Sequence, residues 1–161
     1  MNLPWQTLSK LEYDKQKLID FFYREKDEQL RPYSCNGKEW PFYVMSPLEW
    51  KDYRDTLGTY IDLECKTYEF VYMPSGYVMD IHKDNYNLGS RIGILLDGKA
   101  SLDFFDDDLN PTVSFDYSLP ALFDIRVNHN VTNTDPGWRL SFFINFEETY
   151  SPKLKELEHL I

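Results

Sequence analysis

The spacing of apolar residues changes near residue 67 of the chain. Before that point, residues 14–29 carry apolar side chains at helical spacing with charged residues between them, which predicts an amphipathic helix. Ser46-Pro47-Leu48-Glu49 is a typical capped start for a second helix, which we expect to run to about Leu57 and to stop at Gly58. Residues 1–66 are therefore predicted to be mainly helical.

After residue 67 the apolar residues come in short runs that are typical of β-strands. Asp97-Gly98 lies between two such runs and is a strong hairpin signal. Pro74-Ser75-Gly76 and Thr134-Asp135-Pro136-Gly137 indicate two further turns. A short C-terminal helix is predicted over residues 152–160. The predicted strands cover residues 68–73, 77–82, 91–96, 99–105, 113–117, 121–126, 129–133 and 138–146.

The last predicted strand has two unlike faces, because side chains alternate along a strand. One face is wholly apolar and is expected to pack on the N-terminal helices: Leu140, Phe142, Ile144 and Phe146. The other is mixed and is expected to face the interior of a barrel: Arg139, Ser141, Phe143 and Asn145. Helices followed by many short strands favour an α+β fold, mainly β, built on a sandwich or a jelly roll.

The composition predicts one folded domain with a substantial core, since 42% of the 161 residues are hydrophobic and 17% are aromatic. A formal net charge of −10 makes nucleic acids and anionic membrane surfaces unfavourable partners. No apolar run reaches the length of a membrane span, and no apolar leader is evident, so we expect a cytoplasmic protein. Cys35 and Cys65 are expected to be thiols, with a single disulfide as the alternative.

Two of the three histidines of the chain suggest a metal site. His82 and Asp84 stand two residues apart on a predicted strand, so their side chains share a face, and His129 follows on a later strand. Two imidazoles and one carboxylate form the facial triad of non-haem Fe(II) oxygenases and leave coordination positions open. The alternative is that His82 and Asp84 are ordinary surface residues.

Arg139 and Ser141 lie side by side on the mixed face of the last strand. A guanidinium binds a carboxylate through two parallel hydrogen bonds, which suits a ligand with a terminal carboxylate. The alternative is a structural salt bridge between Arg139 and an internal Asp or Glu. Asn133, four residues after His129, is expected to cap the turn that follows it.

These residues together resemble the 2-oxoglutarate- and Fe(II)-dependent dioxygenase superfamily. Within it, the chain is most similar to the aspartyl/asparaginyl β-hydroxylase-like branch. The likeness covers roughly residues 74–146 and is carried by Pro74-Ser75-Gly76, His82-Lys83-Asp84, Arg91, His129-Asn130-Val131-Thr132-Asn133 and Arg139. Members of that branch often have a histidine two residues after the arginine, whereas this chain has Gly93.

The resemblance implies a double-stranded β-helix, the cupin-like jelly roll, over residues 67–147, with helices packed on one sheet and a C-terminal helix in residues 148–161. His82, Asp84 and His129 would hold Fe(II), and Arg139 with Ser141 would bind the distal carboxylate of 2-oxoglutarate. O2 would be the second co-substrate. Arg91 would hold an acidic group of the substrate or co-substrate; the alternative is a surface charge on a hairpin.

The function implied by the resemblance is hydroxylation of a substrate with decarboxylation of 2-oxoglutarate to succinate. The substrate is open between an amino acid, a peptide side chain and a small metabolite, and a homo-oligomer is an open alternative for completing the pocket. Two other classes stay open: a non-catalytic jelly roll that binds a metal or ligand, and a cupin-type metalloenzyme that does not use 2-oxoglutarate.

Overall fold

The structure, a computed structural model, describes residues 3–35, 37–45, 55–61, 63–84, 87–133 and 135–161, with the side chain of Cys35 left out. Helix α1 covers Lys15–Gln29 and helix α2 covers Tyr150–Glu156, which is followed by a 3₁₀ turn (Glu158–Leu160). The strands are β1 (Trp5–Thr7), β2 (Arg31–Cys35), β3 (Lys38–Met45), β4 (Thr67–Met73), β5 (Ser90–Asp97), β6 (Ala100–Phe105), β7 (Pro111–Asp116), β8 (Ala121–Phe123), β9 (Asn128–Asn133) and β10 (Arg139–Phe146).

The strands form two antiparallel sheets. The major sheet has the order β1-β8-β5-β10-β4-β3-β2, and the minor sheet has the order β7-β6-β9. Residues 77–82 extend the minor sheet beside β9 through the bridges Val78–Thr132 and His82–His129. Consecutive strands such as β5 and β6, or β9 and β10, belong to opposite sheets, which is the jelly-roll arrangement. The predicted fold class, an α+β, mainly β double-stranded β-helix, is confirmed.

The core has two layers, one on each face of the major sheet. On the outer face, Leu140, Phe142 and Ile144 of β10 pack with residues of α1, and Phe21 of that helix stacks on Phe70 of β4 at 5.9 Å between ring centroids. On the inner face, Phe143 packs with apolar side chains of the minor sheet. The two predicted faces of the last strand are thus correct, because alternation along β10 directs one set of side chains to each layer.

Helix α1 begins where its sequence provides a cap. The carboxylate of Asp14 accepts a hydrogen bond from the backbone N–H of Lys17 at 3.0 Å, which satisfies one of the free N–H groups of the first turn. Leu18, Phe21 and Phe22 are the buried side chains of the helix. None of the helices in the described ranges is long and apolar enough to cross a membrane.

The expectation that residues 1–66 are mainly helical needs correction, because β1, β2 and β3 lie within them. The signal was present in β3, where Trp40, Phe42 and Val44 alternate with more exposed residues. Gly37 adopts a positive φ of 75° between β2 and β3, as a tight hairpin turn requires. Most of the predicted second helix lies outside the described residues; residues 55–57 are helical.

Candidate metal centre

His82 and His129 are brought together by strand pairing. Each donates its backbone N–H to the carbonyl of the other at 2.9 Å, so the two residues form one hydrogen-bonded antiparallel pair. Their ring centroids are 4.6 Å apart. Asp84 joins them, its backbone N–H held by the carbonyl of Ile125 at 3.0 Å. One ligand atom from each of the three side chains lies within 4.8 Å of the others.

In both histidines, a backbone carbonyl determines which ring nitrogen carries the proton. Nδ1 of His82 lies 2.7 Å from the carbonyl oxygen of Asp80, and Nδ1 of His129 lies 2.8 Å from that of Val127. A carbonyl oxygen can only accept, so Nδ1 carries the proton in each ring. The Nε2 atom of each neutral imidazole is therefore left with a free lone pair, which is the state that ligates metals.

The three groups fit a divalent cation. Nε2 of His82 faces Oδ1 of Asp84 at 3.4 Å, so two lone pairs face each other unless a proton or a cation lies between them. Burial by itself would raise the pKa of Asp84, but Arg91 and His82 hold it well below its usual range. Burial also lowers the pKa of His129 and keeps its imidazole neutral. Burial by itself would lower the pKa of His82, but Asp84 raises it above its ordinary value. One carboxylate and two imidazoles are a ligand set suited to Fe(II).

Arg91 is not a surface charge, since its side chain is 17% exposed. Its Nη1 lies 2.9 Å from Oδ2 of Asp84, and its Nε donates to Oδ1 of Asn145 at 2.6 Å. The guanidinium carbon lies 4.6 Å from the ring centroid of Phe143, and Nη2 lies 3.9 Å from Oε2 of Glu69. The acidic groups that Arg91 contacts are thus side chains of the chain itself.

Arg139 is buried, at 1% exposure, without a carboxylate partner among the described residues. Its Nε donates to Oγ of Ser141 at 2.8 Å, and its Nη1 points to Sδ of Met73 at 3.7 Å. Burial lowers the pKa of Arg139, because the charged form has lost its water. The alternative of an internal salt bridge therefore finds no support, and a buried cation is left that suits an anionic ligand.

One cavity of about 660 Å³ contains the three candidate ligands and both arginines. Ser141 is fully buried and is not among the described residues that line this cavity, so it contacts Arg139 from behind. One wall comes from the β2–β3 hairpin, which lies in the part of the chain predicted to be mainly helical. Its lining residues are Tyr33, Lys38, Trp40, Phe42 and Val44. The ring of Trp40 lies 6.0 Å from that of His82, which places this wall beside the candidate metal ligands.

Gly93 has no room for a side chain. A Cβ at this position would lie 2.8 Å from the ring of Phe123 and 3.0 Å from that of Tyr117. Both rings fill the space over the inner face of β5, and the guanidinium carbon of Arg139 lies 5.4 Å from the centroid of Tyr117. Aromatic packing therefore fills the space that a side chain at this position would need.

Asn133 has the structural role that was expected. Its Nδ2 lies 2.7 Å from the carbonyl oxygen of Pro74 and 3.1 Å from that of Gly137. Its Oδ1 accepts from the backbone N–H of Asp135 at 3.1 Å. One buried amide thus joins the turn after β4 to the turn before β10.

Replacing Asn133 by alanine is expected to lower the free energy of unfolding by about 1–3 kcal/mol, because buried carbonyls lose their donor. Urea denaturation measures this change. Asn130→Ala is the matched control on the same strand, since Oδ1 of Asn130 is buried without a hydrogen-bond partner in the described structure. A loss in the control as large as in the Asn133 variant would contradict the assignment.

The fold is shared with known oxygenases. No protein-family model matches the chain, and no curated protein matches it. A prolyl-4-hydroxylase from Pseudomonas putida is similar in structure, with 17% identity over 90% of this chain and 93% of that chain and a TM-score of 0.58. The α-ketoglutarate-dependent epimerase SnoN from nogalamycin biosynthesis is 10% identical over 87% of this chain and 74% of that chain, with a TM-score of 0.61. A 2OG-Fe(II) oxygenase family oxidoreductase from Burkholderia pseudomallei is 12% identical over 85% of this chain and 82% of that chain, with a TM-score of 0.52.

Proposed function

We propose that this protein is a 2-oxoglutarate- and Fe(II)-dependent oxygenase that hydroxylates a small molecule or peptide side chain. The observation that carries the proposal is the convergence of His82, Asp84 and His129 in one cavity with the guanidinium of Arg139, which has no carboxylate partner among the described residues. The shared fold with 2OG-Fe(II) oxygenases supports it. Within that superfamily we propose the aspartyl/asparaginyl β-hydroxylase-like branch as the nearest one, on the sequence resemblance alone.

Each residue of the site has a separate task in this proposal. His82, Asp84 and His129 would hold Fe(II), which would bind 2-oxoglutarate and O2. Arg139 binds the distal carboxylate of 2-oxoglutarate, and Ser141 fixes the orientation of its guanidinium. When bound, Fe(II) and 2-oxoglutarate supply the O2-dependent oxidation, in which 2-oxoglutarate becomes succinate and CO2 and one oxygen atom enters the substrate.

The rest of the cavity would receive the substrate. Most of its wall is apolar or aromatic, which keeps the charged groups of the site in a medium where their interactions are strong. The substrate would approach along the β2–β3 hairpin, because Trp40 lies beside His82. Amino acids, peptide side chains and small metabolites all remain within the proposal.

Anaerobic addition of Fe(II) and 2-oxoglutarate to the purified protein tests the proposal. We expect a visible charge-transfer band, because the keto oxygen and the adjacent carboxylate of 2-oxoglutarate chelate the metal. Succinate is the matched control: it carries two carboxylates but no keto group, and it should give no band. Admission of O2 should then bleach the band and produce succinate from 2-oxoglutarate.

Two results would contradict the proposal in different ways. A band that persists under O2 without succinate formation would favour a non-catalytic module. Mn(II) or Fe(II) binding without any band would favour a cupin-type metalloenzyme that does not use 2-oxoglutarate.

A further inference from the structure

We infer that Arg91 is a positioning residue that keeps Asp84 a one-oxygen metal ligand, and that it does not bind substrate or co-substrate. This inference rests on the proposed function, because it concerns the geometry of the proposed metal site. The two oxygens of the Asp84 carboxylate have different neighbours. Oδ1 faces Nε2 of His82 at 3.4 Å, whereas Oδ2 faces Nη1 of Arg91 at 2.9 Å.

The two oxygens of Asp84 are therefore in different surroundings. Oδ1 lies on the side of the free imidazole lone pairs, where a metal would share it with His82. Oδ2 is buried and has the Arg91 cation as its neighbour, although the N–H direction is not aligned for a hydrogen bond. An attractive cation on Oδ2 disfavours rotation of this oxygen toward the metal. A carboxylate bound through one oxygen leaves one more position for other ligands than a carboxylate bound through two.

Arg91 itself is held from three strands of the major sheet. Its backbone is in β5, its Nε is bound by Asn145 of β10, and Glu69 of β4 lies on the side of Nη2. Asn145 is in turn fixed by its own donation to Oγ1 of Thr67 at 2.9 Å. A guanidinium with its Nε bound and its face on Phe143 has few orientations open to it.

The ion pair also connects the two halves of the barrel. Asp84 follows the segment that pairs with the minor sheet, and its backbone N–H is bound by Ile125. Arg91 belongs to the major sheet. The Arg91–Asp84 contact therefore fixes the carboxylate relative to both sheets, as the outer partners of metal ligands do in other proteins.

The test uses Mn(II) as the probe metal, measured by the electron paramagnetic resonance signal of the free ion. Arg91→Gln should lower Mn(II) affinity by about 10–100-fold, the range observed when a partner of a metal ligand is removed. The affinity of the Mn(II)-saturated Arg91→Gln variant for 2-oxoglutarate, measured by calorimetry, should change by less than about threefold. The reason is that Arg139, and not Arg91, binds the distal carboxylate of 2-oxoglutarate in the proposed site. Arg24→Gln is the control, because Arg24 is exposed on α1 and is not among the described residues that line the cavity; both affinities should stay at the wild-type values.

Two further variants test the inference if Arg91→Gln fails to fold. Arg91→Lys keeps the charge but not the planar fork, and it should lose less Mn(II) affinity than Arg91→Gln. Asn145→Ala leaves Arg91 in place but removes its Nε acceptor, and it should lower Mn(II) affinity by a smaller factor.

Each outcome decides a different point. Wild-type Mn(II) affinity in all of the Arg91 and Asn145 variants that fold would overturn the inference. So would a loss of 2-oxoglutarate affinity with Mn(II) binding intact, which would make Arg91 a co-substrate ligand. Failure of the wild-type protein to bind Mn(II) would instead refute the proposed metal site itself, and with it the inference.

Discussion

Replacing His82 or His129 by alanine is expected to abolish Fe(II)-dependent conversion of 2-oxoglutarate to succinate and to lower Mn(II) affinity by more than about 100-fold. Removing a group that only orients a ligand costs about 10–100-fold in metal affinity, and each imidazole is a proposed ligand itself. The Nε2 lone pair that faces the site is lost in both variants, and alanine offers no replacement. The free Mn(II) resonance signal and a succinate assay measure the two effects.

The third histidine of the chain provides the control. His159 lies exposed in the C-terminal 3₁₀ turn, and its Nδ1 is 3.1 Å from the carbonyl of Glu156. His159→Ala should retain wild-type metal binding and succinate formation. If succinate formation persists in both folded His82→Ala and His129→Ala proteins, as checked by circular dichroism, then neither residue is a metal ligand.

Replacing Arg139 by methionine is expected to weaken 2-oxoglutarate binding strongly without lowering the stability of the fold. Loss of a buried partner for a carboxylate costs about 3 kcal/mol, which is about 100-fold or more in 2-oxoglutarate affinity. The free energy of unfolding should stay unchanged or rise by about 1–2 kcal/mol, because the variant replaces a buried cation that has no acid partner in the described structure. Met73, which lies 3.7 Å from Nη1, would pack against the new side chain.

Arg139→Lys is the conservative partner of this variant. A lysine keeps the charge but offers no planar fork, so 2-oxoglutarate affinity should fall strongly while Mn(II) affinity stays at the wild-type value. Calorimetry on the Mn(II)-loaded protein and urea denaturation provide both measurements. An unchanged 2-oxoglutarate affinity in either variant would remove Arg139 from the co-substrate site, and a strong loss of stability would make its role structural.

Much of the β-rich half was predictable because its signals are local. The hairpin predicted at Asp97-Gly98 does not form, because β5 and β6 belong to opposite sheets and these residues make the turn that joins them. The alternation along β10 does assign its side chains to the predicted faces. His82 and Asp84 were predicted to lie near each other because side chains two residues apart on an extended segment share a face. The hairpin of β2 and β3 was missed although Asn36-Gly37 is a known hairpin dipeptide, because the preceding helical pattern was extended over it.

The roles of the two arginines show where local reasoning ends. Both arginines lie on inner-face positions of the major sheet, and the sequence gives them the same charge and the same alternation. Arg91 has Asp84, Asn145 and Glu69 around it, whereas Arg139 has Ser141 and Met73. Those neighbours come from distant parts of the chain, and only they decide whether a buried guanidinium is already compensated.

The sequence by itself predicted the first helix, most strands after residue 67 and the proximity of His82 to Asp84, since each depends on residues within a few positions of one another. The jelly-roll class and the inclusion of His129 came from the family resemblance. The tertiary structure decided that β9 and the segment before Asp84 pair so that two imidazoles meet, that an aromatic hairpin lines the cavity, and that no acid among the described residues lies beside Arg139. The physical reason is that pairing between distant strands and the charge balance of a buried site depend on which side chains share a volume, and sequence distance does not give that information.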